Sequence, residues 1–371
     1  MRWRLRAVHR LTIVSTTVAD RVTVGGWVGS TNLGDELLFR ILSDLLGARG
    51  VTVGGPSLDP AGTMAVHGTE AHGHLNPSAL RHNLVASDAF VFGPGGLLQD
   101  ETGIWNLPYH LRRIRASRRA GLPWAGIGLG ADGLTTNRGR SQVRRTLVGH
   151  TAIAVRDEAS ADALKALGVE RIVRTADLAF LAEVPQVSGD GVLGVCLRAP
   201  QSGRFRPGAL DHAHRWPDGR ADAMATALDE TARATGLTVR FLAFDARSDG
   251  VVHRQVAERM ATAAEVVEPE LDGLVAALAR VDAMATMRYH GAVLAALGGA
   301  GVVALPFSPK LRSIADDLGP GATVLDEADT GLPAAVTSVL EHRHHLADHV
   351  DRLRTLAGRN VEVLDELLEA S

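Results

Sequence analysis

The chain is poor in cysteine, poor in lysine and without a long apolar run. Cys196 is the single cysteine among 371 residues, so no intrachain disulfide can form. It falls in the apolar run "GVLGVCLRA", which predicts a buried, inert thiol and fits a reducing compartment. No stretch approaches the ~18–20 apolar residues that a membrane-spanning helix needs. The opening "MRWRLRAVHRLTIVSTTVAD" is basic and then mildly apolar, but its apolar part is short and no small-residue cleavage site follows. Residues 1–21 therefore read as a loose N-terminal extension. An excess of positive charge is missing too. The formal net charge is −3, which implies no surface for nucleic acid, so any cationic site has to be local. Among 39 lysines and arginines, only Lys165 and Lys310 are lysines.

What is present is a patterned, foldable chain. Apolar residues make up 46% and charged ones 22%, enough for a sizeable core and against global disorder. The length suggests two domains. Short continuous apolar runs ("VTVGGWVG", "DAFVFGPGG", "PWAGIGLGA", "TAIAVRDE") alternate with helical periodicity ("NLGDELLFRILSDLLGARG", "IWNLPYHLRRIRASRRAG"). Continuous rather than alternating apolar strands predict parallel sheets covered on both faces. The pattern pauses near 183–191, where Pro185, Gly189 and Gly191 suggest a linker, and then a second series begins. The expected fold is α/β, with two Rossmann-like doubly wound domains facing a cleft. They would span residues 22–183 and 190–333, and residues 334–371 would form a charged helical tail. The histidines of "EHRHHLADH" in that tail have metal-like spacing but read as a solvated helix face, and "HGTEAHGH" (67–74) reads as a loop. No metal site is expected.

Ligands of such sheets bind beyond the carboxyl ends of the strands, and the polar residues of this chain gather there. In "GGWVGSTNLGDELL", Asn32 is a fair helix cap and Asp35 and Glu36 suit a first helical turn. Capping alone would explain them. The other reading is recognition of sugar hydroxyls, since these acids repel an anion and the segment has neither a Walker pattern nor a strict GxGxxG. In "VFGPGGLLQDETG", Gln99 and Asp100 leave the sheet on the cleft side. In "AIAVRDEASADALKALGV", Arg156 and Asp157 end a strand and Ser160 can cap the following helix. A buried Arg156–Asp157 contact is one reading, and bidentate binding of a carboxylate or phosphate is the other. Finally, "DAMATMRYH" reads as a strand ending in Arg288, Tyr289 and His290. The small-residue helix "GAVLAALGGAG" points its N-terminus at the same place, and "VVALPFSPK" returns as a strand with Lys310 at its end. Arg288, His290 and Lys310 would then share one rim and face one anionic ligand.

Taken in order, these segments resemble the polysaccharide pyruvyl transferases. "GWVGSTNLGDELL" resembles that family's opening Gly-aromatic-aromatic-Gly…Asn-x-Gly-Asp-Glu, "GPGGLLQD" its Gly-rich Gln-Asp segment, and "VRDEASADALKALGV" its Val-Arg-Asp-x-x-Ser run. "TADLAFL" resembles its Thr-x-Asp-Pro-x-Phe strand, and "MRYHGAVLAALGGAGVVALPFSPKLRSIADDLG" its Arg-Leu-His segment with a downstream Lys. The likeness runs from about residue 22 to 325. Tyr289 stands where Leu is usual, Leu178 where Pro is usual, and "GIGLGADGL" replaces Gly-Gln-Gly-Ile-Gly-Pro. The resemblance implies a glycosyltransferase-B-like pair of Rossmann-type domains with C-terminal helices. It implies transfer of pyruvate from phosphoenolpyruvate, a co-substrate rather than a cofactor, to a sugar of a cell-surface polysaccharide or its lipid-linked precursor. The protein would work in the cytoplasm, and a lipid-linked acceptor would draw it to the inner face of the membrane. The motif match would place Arg156, Arg288 and Lys310 at the donor, with His290 as the acid–base group. Asn32, Asp35, Glu36, Gln99 and Asp100 would meet the acceptor. The alternatives are a nucleotide-sugar glycosyltransferase of the same architecture, for which Asp245 and Asp249 would be the nucleotide-side acids, and a catalytically inactive sugar-binding protein.

Overall fold

Thirteen short parallel strands form two sheets in a computed structural model, which describes residues 19–371 apart from 102, 104, 148–151, 187–188, 200–214, 306–308 and 327–330. Most of the N-terminal extension read from the sequence thus lies outside the described residues. The first sheet contains β1 (Arg21–Val24), β2 (Thr52–Ser57), β3 (Glu70–Gly73), β4 (Ala89–Phe92), β5 (Trp124–Leu129), β6 (Ile153–Val155) and β7 (Ile172–Arg174). The second contains β8 (Val192–Cys196), β9 (Thr238–Leu242), β10 (Ala264–Val267), β11 (Ala283–Thr286), β12 (Gly301–Ala304) and β13 (Ala322–Val324). The strand orders are 3-2-1-4-5-6-7 and 10-9-8-11-12-13. Each sheet therefore reverses its winding once, between β1 and β4 and between β8 and β11, and a crevice opens there at the carboxyl ends of the strands.

The central strands are buried along their whole length, "AFVF" of β4, "AMAT" of β11 and "GVVA" of β12 among them. Helices on both faces require this, because a parallel sheet covered twice has no solvent side for polar residues. Two readings change. Residues 67–74 are not one loop: His67 ends the helix Pro60–His67, Gly68 caps it with positive φ, and Glu70–Gly73 is the edge strand β3. The strand read through His290 stops at Thr286, and a helix begins at Tyr289.

The two sheets are packed together rather than hinged apart. One buried apolar cluster continues from Val22 and Leu37 through Phe180 to Leu294 and Leu364. The backbone N–H of Leu33, at the start of the helix Leu33–Gly47, donates to the carbonyl of Phe244 beyond β9 at 2.7 Å. Of the C-terminal helices, Leu332–His342 packs on β12 of the second sheet, while Leu346–Glu369 crosses back to β5 of the first.

Candidate active site

The seam between the two sheets collects the charged residues. Register pairs Thr286 with Cys196, so Arg288 and Arg198 leave β11 and β8 side by side at the second crevice. Arg288 is buried and gripped by Asp249, Nε to Oδ2 at 3.0 Å and Nη2 to Oδ1 at 2.5 Å, with Nη2 also donating to Ser248 at 3.2 Å. Burial disfavours its charge, but Asp249 more than offsets this and holds the guanidinium above its usual range. Asp249 also accepts from the backbone N–H groups of Phe244 and Asp245. The acid considered for a nucleotide is therefore committed to shaping the rim. Arg198, which sequence reasoning passed over, has its guanidinium pushed down to about 10 by burial and by Arg288. The signal was available: it ends a strand just as Arg288 does.

His290 lies in the first turn of the helix Tyr289–Leu297, and its ring is held between the two sheets. Its Nε2 is buried, without a hydrogen-bond partner, and 3.6 Å from Oδ1 of Asp177. Its Nδ1 faces the N-terminus of the helix Leu33–Gly47 so closely that a Cβ on Gly34 would come within 2.1 Å. Asp177, absent from the candidates although its segment was noticed, joins three groups. Its Oδ2 accepts from Nη1 of Arg156 at 3.2 Å, and its Oδ1 accepts from the N–H of Ala179 at 3.0 Å and confronts His290. Burial alone would raise this carboxyl, but His290 and Arg156 outweigh it and bring it down to about 2.

Arg156 is 3% exposed and links the halves, its guanidinium carbon 4.3 Å from the centre of the Tyr289 ring. The contact with Asp157 exists, at 3.4 Å. Asp157 rather than Ser160 caps the next helix, accepting from the Ser160 N–H at 2.7 Å, while the Ser160 hydroxyl accepts from Ala131 N–H. Nη2 of Arg156 is buried without an acceptor, and Gly130 is packed so closely that a Cβ there would meet it at 2.9 Å. Lys310 is not at a strand end. It sits in the first turn of the helix Pro309–Leu318, half-buried. Burial, with Arg156 and Arg198 nearby, pushes its amine down to about 8 despite Asp132 and Asp35. Among the described residues no carboxylate comes within ion-pair distance of it.

The residues expected on the acceptor side divide. Asn32 caps its helix, accepting from Gly34 N–H at 3.2 Å, and donates to Asp35 at 2.6 Å. Asp35 faces His290 and Lys310 across the seam. Burial raises its carboxyl, and His290, Asn32 and Lys310 counter this only in part. Glu36 turns away: its carboxylate accepts from Ser30 N–H at 2.9 Å and lies 2.9 Å from His67 Nε2. Asp100 is also engaged within its own half. Its two oxygens accept from the backbone N–H and hydroxyl groups of Thr135 and Thr136, pinning a loop. The carbonyl of Gln99 accepts from Asn106 at 2.6 Å. Among the described residues, no group of three or more His, Cys, Asp or Glu could hold a metal ion.

Comparison with known proteins follows the same lines. The family model for polysaccharide pyruvyl transferase matches residues 32–309. A search of curated proteins found no match. Solved structures similar in fold include a putative UDP-N-acetylglucosamine 2-epimerase from Listeria monocytogenes, with a TM-score of 0.63, 10% identity, and 95% of this chain and 97% of that one covered. Anabaena Alr3699/HepE in complex with UDP-glucose gives 0.59, 12% identity, and 94% and 98% coverage. MurG of Acinetobacter baumannii gives 0.53, 10% identity, and 94% and 99%. At these identities the likeness establishes the glycosyltransferase-B-like fold alone.

Proposed function

Because the chain belongs to the polysaccharide pyruvyl transferase family, we propose that it moves pyruvate from phosphoenolpyruvate onto hydroxyls of a sugar, in a cell-surface polysaccharide or its lipid-linked precursor, and closes a ketal. The observation that carries this reading is a pair of cationic side chains at the seam that keep donor groups open. Nη2 of Arg156 is buried with no acceptor, and Lys310 has no carboxylate partner among the described residues. A donor with both a phosphate and a carboxylate supplies the missing oxygens, and each charge-assisted hydrogen bond would contribute about 1.5–3 kcal/mol.

The chemistry then asks for a proton donor and an acceptor within reach of one carbon. Protonating the methylene carbon of the donor leaves an oxocarbenium-like C2. A sugar hydroxyl adds there and gives up its proton. A second hydroxyl displaces phosphate, which departs with the C–O electron pair and takes up that hydroxyl's proton, and a ketal remains. His290 suits the proton transfers, with Nε2 turned to Asp177 and Nδ1 to the facing helix. Asp177 acts as a positioning residue for both His290 and Arg156. Asp35, its carboxyl raised by burial on the opposite side of the seam, is suited to take a hydroxyl proton. Arg288, already neutralised by Asp249, serves to build the rim. A nucleotide-sugar reading would need Asp249 available, and its carboxylate is occupied.

Thermal unfolding with a ligand panel tests the reading. Phosphoenolpyruvate at ~100 times its dissociation constant should stabilise the protein by ~2.7 kcal/mol, and Lys310→Ala should abolish that shift. A shift with UDP-glucose and none with phosphoenolpyruvate would overturn the donor assignment and leave the fold untouched.

A further inference from the structure

The net charge of −3 conceals a strongly polarised surface. Three consecutive helices, Pro77–Val85, Asn106–Arg119 and Asn137–Leu147, cover one face of the first sheet together with Glu158–Lys165, which carries Glu158 and Asp162. They share a single apolar underside that includes Leu80, Leu111, Ile114 and Val143. None of the three contains an aspartate or a glutamate. Their outer surface is arginine. Arg112, Arg118 and Arg119 stand exposed on the second helix, and Arg138, Arg140, Arg144 and Arg145 on the third. The two helices lie against each other, with Arg115 donating to the Thr146 hydroxyl at 3.0 Å.

Several arginines elsewhere meet acids: Arg49 with Asp365, Arg240 with Glu265, Arg259 with Asp222, Arg280 with Asp190, Arg343 with Asp282. Exposed Arg233, Arg247, Arg352 and Arg359 have no ion pair among the described residues, so what sets this face apart is the number of arginines gathered on two adjacent helices. Among the described residues, none of these seven has a carboxylate partner. Seven charges without acids on two adjacent helices repel one another and weaken the fold slightly. They leave the rest of a net-acidic molecule more acidic still, so this face is attractive to an anionic plane. At the crevice end of the same helix layer, Trp105 and Leu75 are 59% and 48% exposed. A tryptophan beside a basic helix face is the arrangement that favours the headgroup region of a bilayer.

We propose that this arginine face docks on an anionic lipid surface, with Trp105 and Leu75 entering the headgroup layer and the crevice held beside the membrane. The occupant is a phospholipid bilayer rather than a nucleic acid, because the charged helices are flanked by apolar side chains at the rim. The proposal goes beyond the transfer reaction and does not depend on it. It gives a physical route by which an acceptor carried on a lipid would reach the seam.

Sedimentation of the full-length protein with vesicles tests it. Phosphatidylcholine vesicles containing phosphatidylglycerol should carry the protein down in about 0.1 M salt, pure phosphatidylcholine vesicles should not, and raising the salt should release it. Each basic residue at such a surface strengthens partitioning about fivefold. The variant R118E/R119E/R144E/R145E should therefore lose partitioning by at least several hundredfold, while its circular dichroism spectrum and its turnover of a soluble acceptor stay unchanged. Equal sedimentation with both vesicle types, or undiminished binding by the variant, would overturn the proposal. So would binding of a DNA or RNA oligonucleotide in the absence of vesicle binding. Phosphoenolpyruvate binding, measured separately, reports on the reaction and not on this face.

Discussion

Lys310 has surroundings that give it a pH dependence no arginine would share. Its amine titrates at about 8, lowered by burial and by neighbouring cations. Donor binding that depends on the ammonium is therefore fully present below that pH and is lost as pH rises through it. The donor KM should climb about tenfold per pH unit above 8. In Lys310→Arg it should stay level, because a guanidinium keeps its charge, although the planar fork would lower turnover. A wild-type KM constant from neutral to strongly alkaline pH would remove Lys310 from the donor site. At this scale the sequence was legible where a charge ended an apolar run, as at Arg156 and Arg288. It was silent where side chains could turn either way: Glu36 and Asp100 accept from nearby backbone N–H groups, and nothing in their spacing says so. Asp177 was hidden for another reason. Its partners lie apart from it along the chain: Arg156 reaches it across the neighbouring strands β6 and β7, and His290 meets it only where the two sheets close on each other.

At the scale of elements, the meeting of the helix Leu33–Gly47 with His290 is the contact on which the seam depends. Alanine normally stabilises a helix relative to glycine by about 0.5–1 kcal/mol. At Gly34 the added methyl would come within 2.1 Å of His290 Nδ1 and 2.9 Å of its Cγ. Either the ring or the helix has to shift. Gly34→Ala should therefore lower the melting temperature, against the usual trend, and reduce kcat by an order of magnitude or more. A more stable and fully active variant would mean that His290 has room to move and that its close packing is incidental. The strands themselves were readable because both faces of a parallel sheet are buried, which leaves runs such as "AFVF" without polar interruption. The edge strand Glu70–Gly73 was not, since its residues are exposed or half-buried and resemble a loop in composition. Lys310 was placed on a strand because "VVALPFSPK" is apolar nearly to its end, whereas the strand stops at Ala304.

For the whole molecule, the informative element is the last helix. Its buried stripe of Leu346, Val350, Leu353, Ala357, Val361 and Leu364 can be read from the sequence at helical spacing, but its destination cannot. It crosses from the second half to the first and fixes itself there through a polar group. Asn360, 1% exposed, accepts from the Gly128 N–H at 2.9 Å and from the Thr175 hydroxyl at 3.3 Å, and donates to the Ala176 carbonyl at 3.0 Å. Gly128 belongs to β5, two residues before the glycine packed on Arg156, and Ala176 precedes Asp177. The end of the chain thus braces both segments that support the seam. Asn360→Ala would leave the Gly128 N–H and the Ala176 carbonyl buried with fewer partners, at a cost of about 1–3 kcal/mol for each group left unsatisfied. Urea unfolding should show a lower midpoint with an unchanged slope, and donor affinity should weaken as Arg156 loses its backing. An unchanged midpoint would mean that the helix is held by its apolar stripe alone. A lowered midpoint with unaltered donor affinity would confine Asn360 to stability and separate the brace from the site.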